Sequence, residues 1–186
     1  MPRALDRTDM RLFSLTFLLG FLCPVCIAQE PEGTPPTWVH EDMARTVGVW
    51  IADNSEYQSE TEPFDHYGIE WTWGLGEKFI HGRLFGLAGG EEAGTFWEFI
   101  QFWDPAKRKV MVYQFGSDGT VGKGELEWID EHSTRLLQRF SSRDGSTFLS
   151  GHETTTIGNE QTGHSFTVDE NGTWTPRRTY FWIKQN

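Results

Sequence analysis

The sequence contains little cysteine and little positive charge. Both cysteines, Cys23 and Cys26, lie in an apolar N-terminal run, so the rest of the chain can form no disulfide and must be stabilised by its core. The chain has 16 Lys and Arg against 27 Asp and Glu, a net charge of −11. A chain of this charge repels phosphate backbones and anionic lipid surfaces, which argues against nucleic acid as a partner.

The sequence also lacks the common motifs of catalysis and phosphate binding. Neither Gly-x-Ser-x-Gly nor His-Glu-x-x-His occurs, and the glycine-containing stretches 76–79 and 122–125 fall in predicted hairpins without a following helix. The six histidines form no His-x-His pair, although strands could bring His81, His152 and His164 together. We therefore expect neither a metal nor a cofactor.

The first 28 residues have the pattern of a signal peptide. An apolar run extends from Leu12 to Ile27 and ends in small residues suited to cleavage after Ala28. The run is short for a membrane span and contains Pro24, so cleavage is favoured over an anchor. We expect an exported protein, periplasmic or extracellular, with no membrane span once the signal is removed.

The remainder is expected to form a single domain. Met10 is an alternative start of translation, residues 29–37 form a flexible lead-in rich in Pro and Gly, and 38–186 form the domain. Residues 38–46 favour a short helix with Thr37 as its N-cap, and this stretch is the only helical candidate.

Beyond Gly48 the sequence alternates with a period of two and is interrupted by turn residues every few positions. Consecutive hairpins either leave two open edges or roll up, so the pattern predicts an all-β fold, an antiparallel up-and-down barrel of 8–10 strands. A β-sandwich is the alternative. The strand-like runs are 48–57, 66–75, 78–88, 94–104, 109–116, 121–130, 134–142, 146–157, 162–169 and 174–184.

The second and third runs predict a hairpin with two different faces. A turn at Gly76-Glu77 pairs Trp73 with Ile80, Trp71 with Gly82, and Ile69 with Leu84. We expect the apolar face to point inward and the opposite face, with Glu70 across from Arg83, to point to solvent. The inward face is then formed by Trp71, Trp73, Leu75, Ile80 and Leu84.

Two features at the ends of the domain resemble the calycin superfamily, the lipocalins and their bacterial exported relatives. Gly48-Val49-Trp50 opens the first strand, and Arg177 and Arg178 stand in the last. The resemblance implies that these residues close the barrel, with an arginine packed over the Trp50 ring, around a calyx for a small apolar molecule. It does not extend to haem, because the later glycines of the haem-binding barrels' motif are missing.

Successive strands carry aromatic residues at alternating positions, which favours either core packing or a ligand-facing wall. The candidates for ligand contact are Trp71, Trp73, Trp97, Phe99 and Trp103. The run 94–104 has aromatic residues on both faces, so its outer face needs a cover, either the 38–46 helix or a second copy of the chain. Glu98 lies among these aromatics and is a weak candidate for a general acid or base.

These observations lead us to expect a protein that binds a small apolar or amphipathic molecule in an aromatic-lined barrel. One alternative is an enzyme on the same barrel, a lyase, hydratase or isomerase that uses a Glu or a His as acid and base. Another is a homodimeric interaction module that associates through its doubly aromatic strand.

Overall fold

The computed structural model describes residues 33–186, in which one helix is followed by ten antiparallel strands. The predicted signal peptide and the first part of the predicted lead-in lie outside the described residues. The helix is α1 (Thr37–Thr46). The strands are β1 (Gly48–Asp53), β2 (His66–Trp73), β3 (Phe79–Ala88), β4 (Glu91–Asp104), β5 (Lys109–Gly116), β6 (Val121–Trp128), β7 (Ser133–Ser141), β8 (Thr147–Ile157), β9 (Glu160–Val168) and β10 (Trp174–Lys184).

The strands form one closed barrel in which each strand pairs with its neighbours in sequence. The ring is completed by β1 and β10, where Trp50 lies opposite Lys184 and Ala52 opposite Trp182. Closure leaves no open sheet edge, which is the physical advantage of a barrel over two stacked sheets. The predicted meander barrel is thus confirmed with ten strands, and the sandwich alternative is wrong.

The predicted β2–β3 hairpin has the expected register, with Trp73 opposite Ile80 and Trp71 opposite Gly82. Ile80 is fully buried, so the apolar face does point inward. Leu75 does not belong to that face, because it lies in a short 3₁₀ turn (Leu75–Glu77) and is 88% exposed. Gly76 takes a positive φ of 62° in this turn, and the chain therefore leaves the strand before Leu75 can point inward.

The strand register shifts at three places, two between β3 and β4 and one in β10. At the first of them Leu84 pairs with Trp97 but Phe85 pairs with Thr95. This shift leaves Phe96 without an opposite residue and brings its ring to the interior, although simple alternation places it outside. The shift in β10 lies between Pro176 and Thr179.

Helix α1 packs across one end of the barrel. Its buried Val39 and Met43 contact Ile80 and Val110, and each such side chain contributes roughly 1.5–3 kcal/mol by leaving water. The helix therefore covers the inner side of the barrel end and not the outer face of β4, for which it was one of two covers considered. Its N-cap is Pro36 and not Thr37, with no side-chain cap. Among residues 33–186, no helix has the length and apolar character needed to cross a membrane.

Candidate ligand-binding cavity

The barrel encloses a cavity of about 700 Å³ that reaches through most of its length. Small-molecule sites in proteins occupy roughly 300–1,000 Å³, so the space suits a small organic molecule. The polar side chains that border it are concentrated on one side. Strands β2 to β4 present aromatic and aliphatic groups apart from Gln101, and strands β7 to β9 present hydroxyl, amide and imidazole groups beside Leu136, Phe140 and Phe148.

We use the term aromatic wall for the inward side chains of β2 and β4, namely Tyr67, Trp71, Phe96, Trp97 and Phe99. Two pairs of these rings are in contact, with 5.3 Å between the centroids of Trp71 and Phe99 and 6.2 Å between those of Tyr67 and Phe96. Glycines in neighbouring strands make room for them, since a Cβ atom at Gly82 would lie 2.5 Å from the Trp71 ring. Three of the five predicted ligand-contact residues thus line the cavity: Trp71, Trp97 and Phe99.

The other two, Trp73 and Trp103, point the same way but lie beneath α1, outside the cavity. The Trp103 indole Nε1 donates a hydrogen bond to the Gly33 carbonyl at 2.9 Å, and the Trp73 ring stacks on His40 with 5.1 Å between centroids. Their position along the strand decides their role, because the helix fills that end of the barrel. Both tryptophans pack against the core cluster under the helix.

We use the term polar wall for six of the polar side chains that point inward from β7 to β9, namely Thr134, Gln138, Ser150, His152, Thr154 and Ser165. Register places Ser150 opposite Gln138 and Thr154 opposite Thr134, so the polar groups form neighbouring pairs across two strands. The hydroxyl of Ser150 donates to the Phe166 carbonyl at 3.2 Å. This wall was not predicted from the sequence, apart from His152 as one of three histidines considered for a metal.

His152 faces the cavity from within the wall and makes no hydrogen bond to any of residues 33–186. Burial lowers the pKa of His152 to about 4, and the positive charge of nearby Arg177 acts in the same direction. The imidazole is therefore neutral at physiological pH, with one ring nitrogen as donor and the other as acceptor. It is available to a polar group inside the cavity.

The connection between β1 and β2, residues 54–65, folds over the end of the barrel opposite α1. Glu62 from this connection receives two hydrogen bonds from the Arg178 guanidinium, at 2.6 and 2.9 Å, and one from the Tyr67 hydroxyl at 2.8 Å. Arg178 also donates to the Tyr180 hydroxyl at 3.1 Å. These bonds lower the pKa of Glu62, so its carboxylate stays ionised and holds the connection to β10.

The residues predicted to close the barrel are not arranged as the calycin resemblance implies. Trp50 is buried, with 1% of its surface exposed, and its indole Nε1 donates to the Thr46 carbonyl at 2.8 Å. The cation over its ring is the Lys184 ammonium, 5.2 Å from the centroid. Arg178 lies instead over Tyr57, 4.8 Å from that centroid. The prediction of an arginine over Trp50 is wrong, because β10 runs the length of the barrel and places both arginines, Arg177 and Arg178, towards its other end.

Glu98 lies outside the barrel and not among the inward aromatic rings. Its side chain is 61% exposed and approaches His81, with 3.8 Å between Oε2 and Nε2. The desolvation that the acid–base hypothesis required is absent at this position. His81 and His152 lie on opposite sides of the barrel wall, and residues 33–186 contain no cluster of three or more His, Cys, Asp or Glu that could hold a metal.

Comparisons with known proteins leave the family of this chain open. No family model and no curated protein matches the sequence. The crystal structure of Rv2717c from M. tuberculosis is similar at 9% sequence identity and a TM-score of 0.49, over 82% of this chain and 100% of that chain. A similarity of this size carries no functional information, and the cavity itself is the basis for a functional proposal.

Proposed function

We propose that this protein binds a small amphipathic molecule inside its barrel. The observation that supports the proposal is the division of one 700 Å³ cavity into an aromatic wall and a polar wall. Buried polar groups destabilise a fold unless they are hydrogen-bonded. Polar side chains on one side of an interior space are therefore expected where a bound molecule supplies their hydrogen-bond partners.

The size of the two contributions explains why both walls are needed. Burying about 200 Å² of apolar ligand surface against rings such as Trp71 and Trp97 contributes about 5 kcal/mol. Binding loses roughly 4–15 kcal/mol in translational and rotational freedom, so apolar contact alone gives weak affinity. Hydrogen bonds to the polar wall supply the remainder and fix the orientation of the ligand.

The proposal is tested by extraction and by a matched pair of variants on β8. Mass spectrometry of an organic extract of the purified protein is expected to find one amphipathic species in near-stoichiometric amount. Thr154 borders the cavity and Thr155 is exposed on the outside of the same strand. Thr154→Phe is expected to fill part of the space and to weaken ligand binding at least about tenfold, whereas Thr155→Phe leaves it unchanged.

Tryptophan fluorescence measures this binding directly, because Trp71, Trp97 and Trp182 border the cavity. A bound ligand is expected to change their emission in the wild-type chain and in Thr155→Phe. An unchanged signal across a broad panel of aromatic amphiphiles, lipids and isoprenoids, together with an empty extract, contradicts the proposal.

We further propose that binding takes place after export, and that the barrel serves as a calyx in the way of the calycins. The support for export is the signal-like pattern of residues 1–28, and N-terminal sequencing of the protein from cells is expected to begin at Gln29. The support for a calyx is the closed meander barrel, although Lys184 stands where the resemblance places an arginine.

A further inference from the structure

The polar wall contains an amide group that the protein itself leaves unused. The side chain of Gln138 has 0% of its surface exposed, and neither Oε1 nor Nε2 has a hydrogen-bond partner in the described part of the chain. A buried group in this state destabilises a fold by about 1–3 kcal/mol. We expect such a group to be retained where a bound molecule supplies its hydrogen-bond partners.

The backbone around Gln138 accommodates this side chain. Gly124 lies opposite it on β6, and a Cβ atom there would come within 2.5 Å of the Gln138 Cγ atom. The carboxamide therefore lies over a strand that has no side chain at that position, at the border of the cavity. A partner for its polar atoms comes from the cavity side.

A second unpartnered group lies beside it. Gln138 is opposite Ser150, and His152 is two positions further along β8, which puts the Cβ atoms of Gln138 and His152 on a diagonal of about 7–8 Å. The hydroxyl of Ser150, between them, already donates to Phe166. We expect a group of a few atoms in the cavity to reach the imidazole directly, and to reach the amide, whose polar atoms have no exposed surface here, after a small shift of the Gln138 side chain.

The chemistry of these two groups selects the kind of ligand. Gln138 presents both a donor, Nε2, and an acceptor, Oε1, and neutral His152 likewise presents one of each. A carboxylate only accepts hydrogen bonds, so it leaves the acceptor Oε1 without a partner and adds a charge to a buried site. An amide, lactam or carbamate supplies a carbonyl and an N–H together, and it carries no charge.

We propose that Gln138 and His152 form a hydrogen-bonding subsite for a neutral donor–acceptor group, of the amide or lactam kind, on an aromatic ligand. This inference rests on the proposed function and specifies the class of molecule that the cavity accepts. The aromatic part of the ligand packs on Trp71, Trp97 and Phe99, and its polar group faces β7 and β8.

Three naphthalene probes with the same skeleton test the subsite by titration calorimetry. They are the carboxamide, which donates and accepts, the methyl ester, which only accepts, and the carboxylate, which is charged. The carboxamide is expected to bind tightest. Gln138→Met keeps the volume but removes the polar atoms, and it is expected to lower carboxamide affinity about tenfold and ester affinity by less, because the ester accepts from Nε2 but supplies no donor for Oε1.

The control is Gln185→Met, the same change at an exposed position after β10 that does not border the cavity. It is expected to change none of the three affinities. Because Gln138→Met removes an unsatisfied buried amide, its melting temperature is expected to equal or exceed that of the wild type, which shows that the variant is folded.

The outcomes separate this inference from the proposed function. If the probes bind but Gln138→Met does not discriminate between carboxamide and ester, the cavity binds ligands and the subsite is refuted. If the carboxylate binds tightest and Arg177→Gln removes that preference, the cavity selects anions and the subsite is again refuted. If none of the three probes binds while the organic extract contains an amphipathic species, the proposed function stands and the subsite for an aromatic amide is refuted.

Discussion

The two sides of the cavity are stabilised in different ways. The aromatic wall is held by ring contacts and by glycines that admit the rings, as at Trp71, Phe99 and Gly82. The polar wall contains the Gln138 amide, whose two polar atoms have no hydrogen-bond partner within residues 33–186, and the neutral His152 imidazole, which faces the cavity. The first side contributes to folding whether or not a ligand is bound. The second contributes less to folding, and we expect its variants to separate the proposed ligand binding from stability.

Truncation of the aromatic wall gives the largest effect on stability. Trp71→Ala is expected to lower the free energy of unfolding by about 3–5 kcal/mol, because it removes contacts with Phe99 and the core under α1. Ser150→Ala on the polar wall removes one hydrogen bond and is expected to reduce stability by about 1 kcal/mol. Denaturant unfolding of both variants measures the contrast, and equal losses contradict it.

The pH dependence of stability is expected to show the next largest effect. The folded-state pKa of His152 is about 4, below the unfolded value of 6.5, so the unfolded chain binds a proton first. The contribution of neutral His152 is therefore fully present above pH 6.5 and is lost as the pH falls towards 4, by on the order of 3 kcal/mol. His152→Asn is expected to flatten this part of the curve. A variant whose unfolding follows the wild type between pH 6.5 and 4 contradicts the assignment.

The smallest effect compares one ion pair at the cavity end with a similar pair outside. Glu62→Gln weakens the bidentate contact to Arg178, and we expect a loss of about 1–2 kcal/mol, since the pair is only partly exposed. The control is Glu153→Gln, which weakens an exposed pair with Arg135 and is expected to change stability by less than about 0.5 kcal/mol. Thermal unfolding at low and high salt checks both, and an equal change in the two variants contradicts the distinction.

Local rules in the sequence were sufficient to predict the strands and the β2–β3 register. Turn residues and the period of two define which residues of a hairpin face each other, as they did for Trp71 and Gly82. These rules do not define how far along the barrel axis a residue lies. Trp71 and Trp73 share a face, yet one borders the cavity and the other packs under α1, because a helix contributed by a separate segment fills that end.

The polar side of the candidate site was missed for a different reason. In the stretch RLLQRF, the side chains that point inward are Leu136, Gln138 and Phe140. A single amide between two apolar residues does not indicate from sequence that the position lines a cavity. The contact between Glu62 and Arg178 was also beyond prediction, since it joins a connection to a bulge at the far end of the chain. Only the rolled-up sheet brings such groups together.

The pairing of β1 with β10, which closes the barrel, determines when the cavity can form during synthesis. Only three pairs, from Trp50 with Lys184 to Ala52 with Trp182, join β1 to β10, whereas β2 and β3 share eight. β1 is synthesised first and can pair with β10 only after β10 has left the ribosome. Until then the sheet has two unpaired edges and encloses no interior. If the barrel binds a ligand as proposed, it can therefore enclose that ligand only after β10 has been synthesised and has paired with β1.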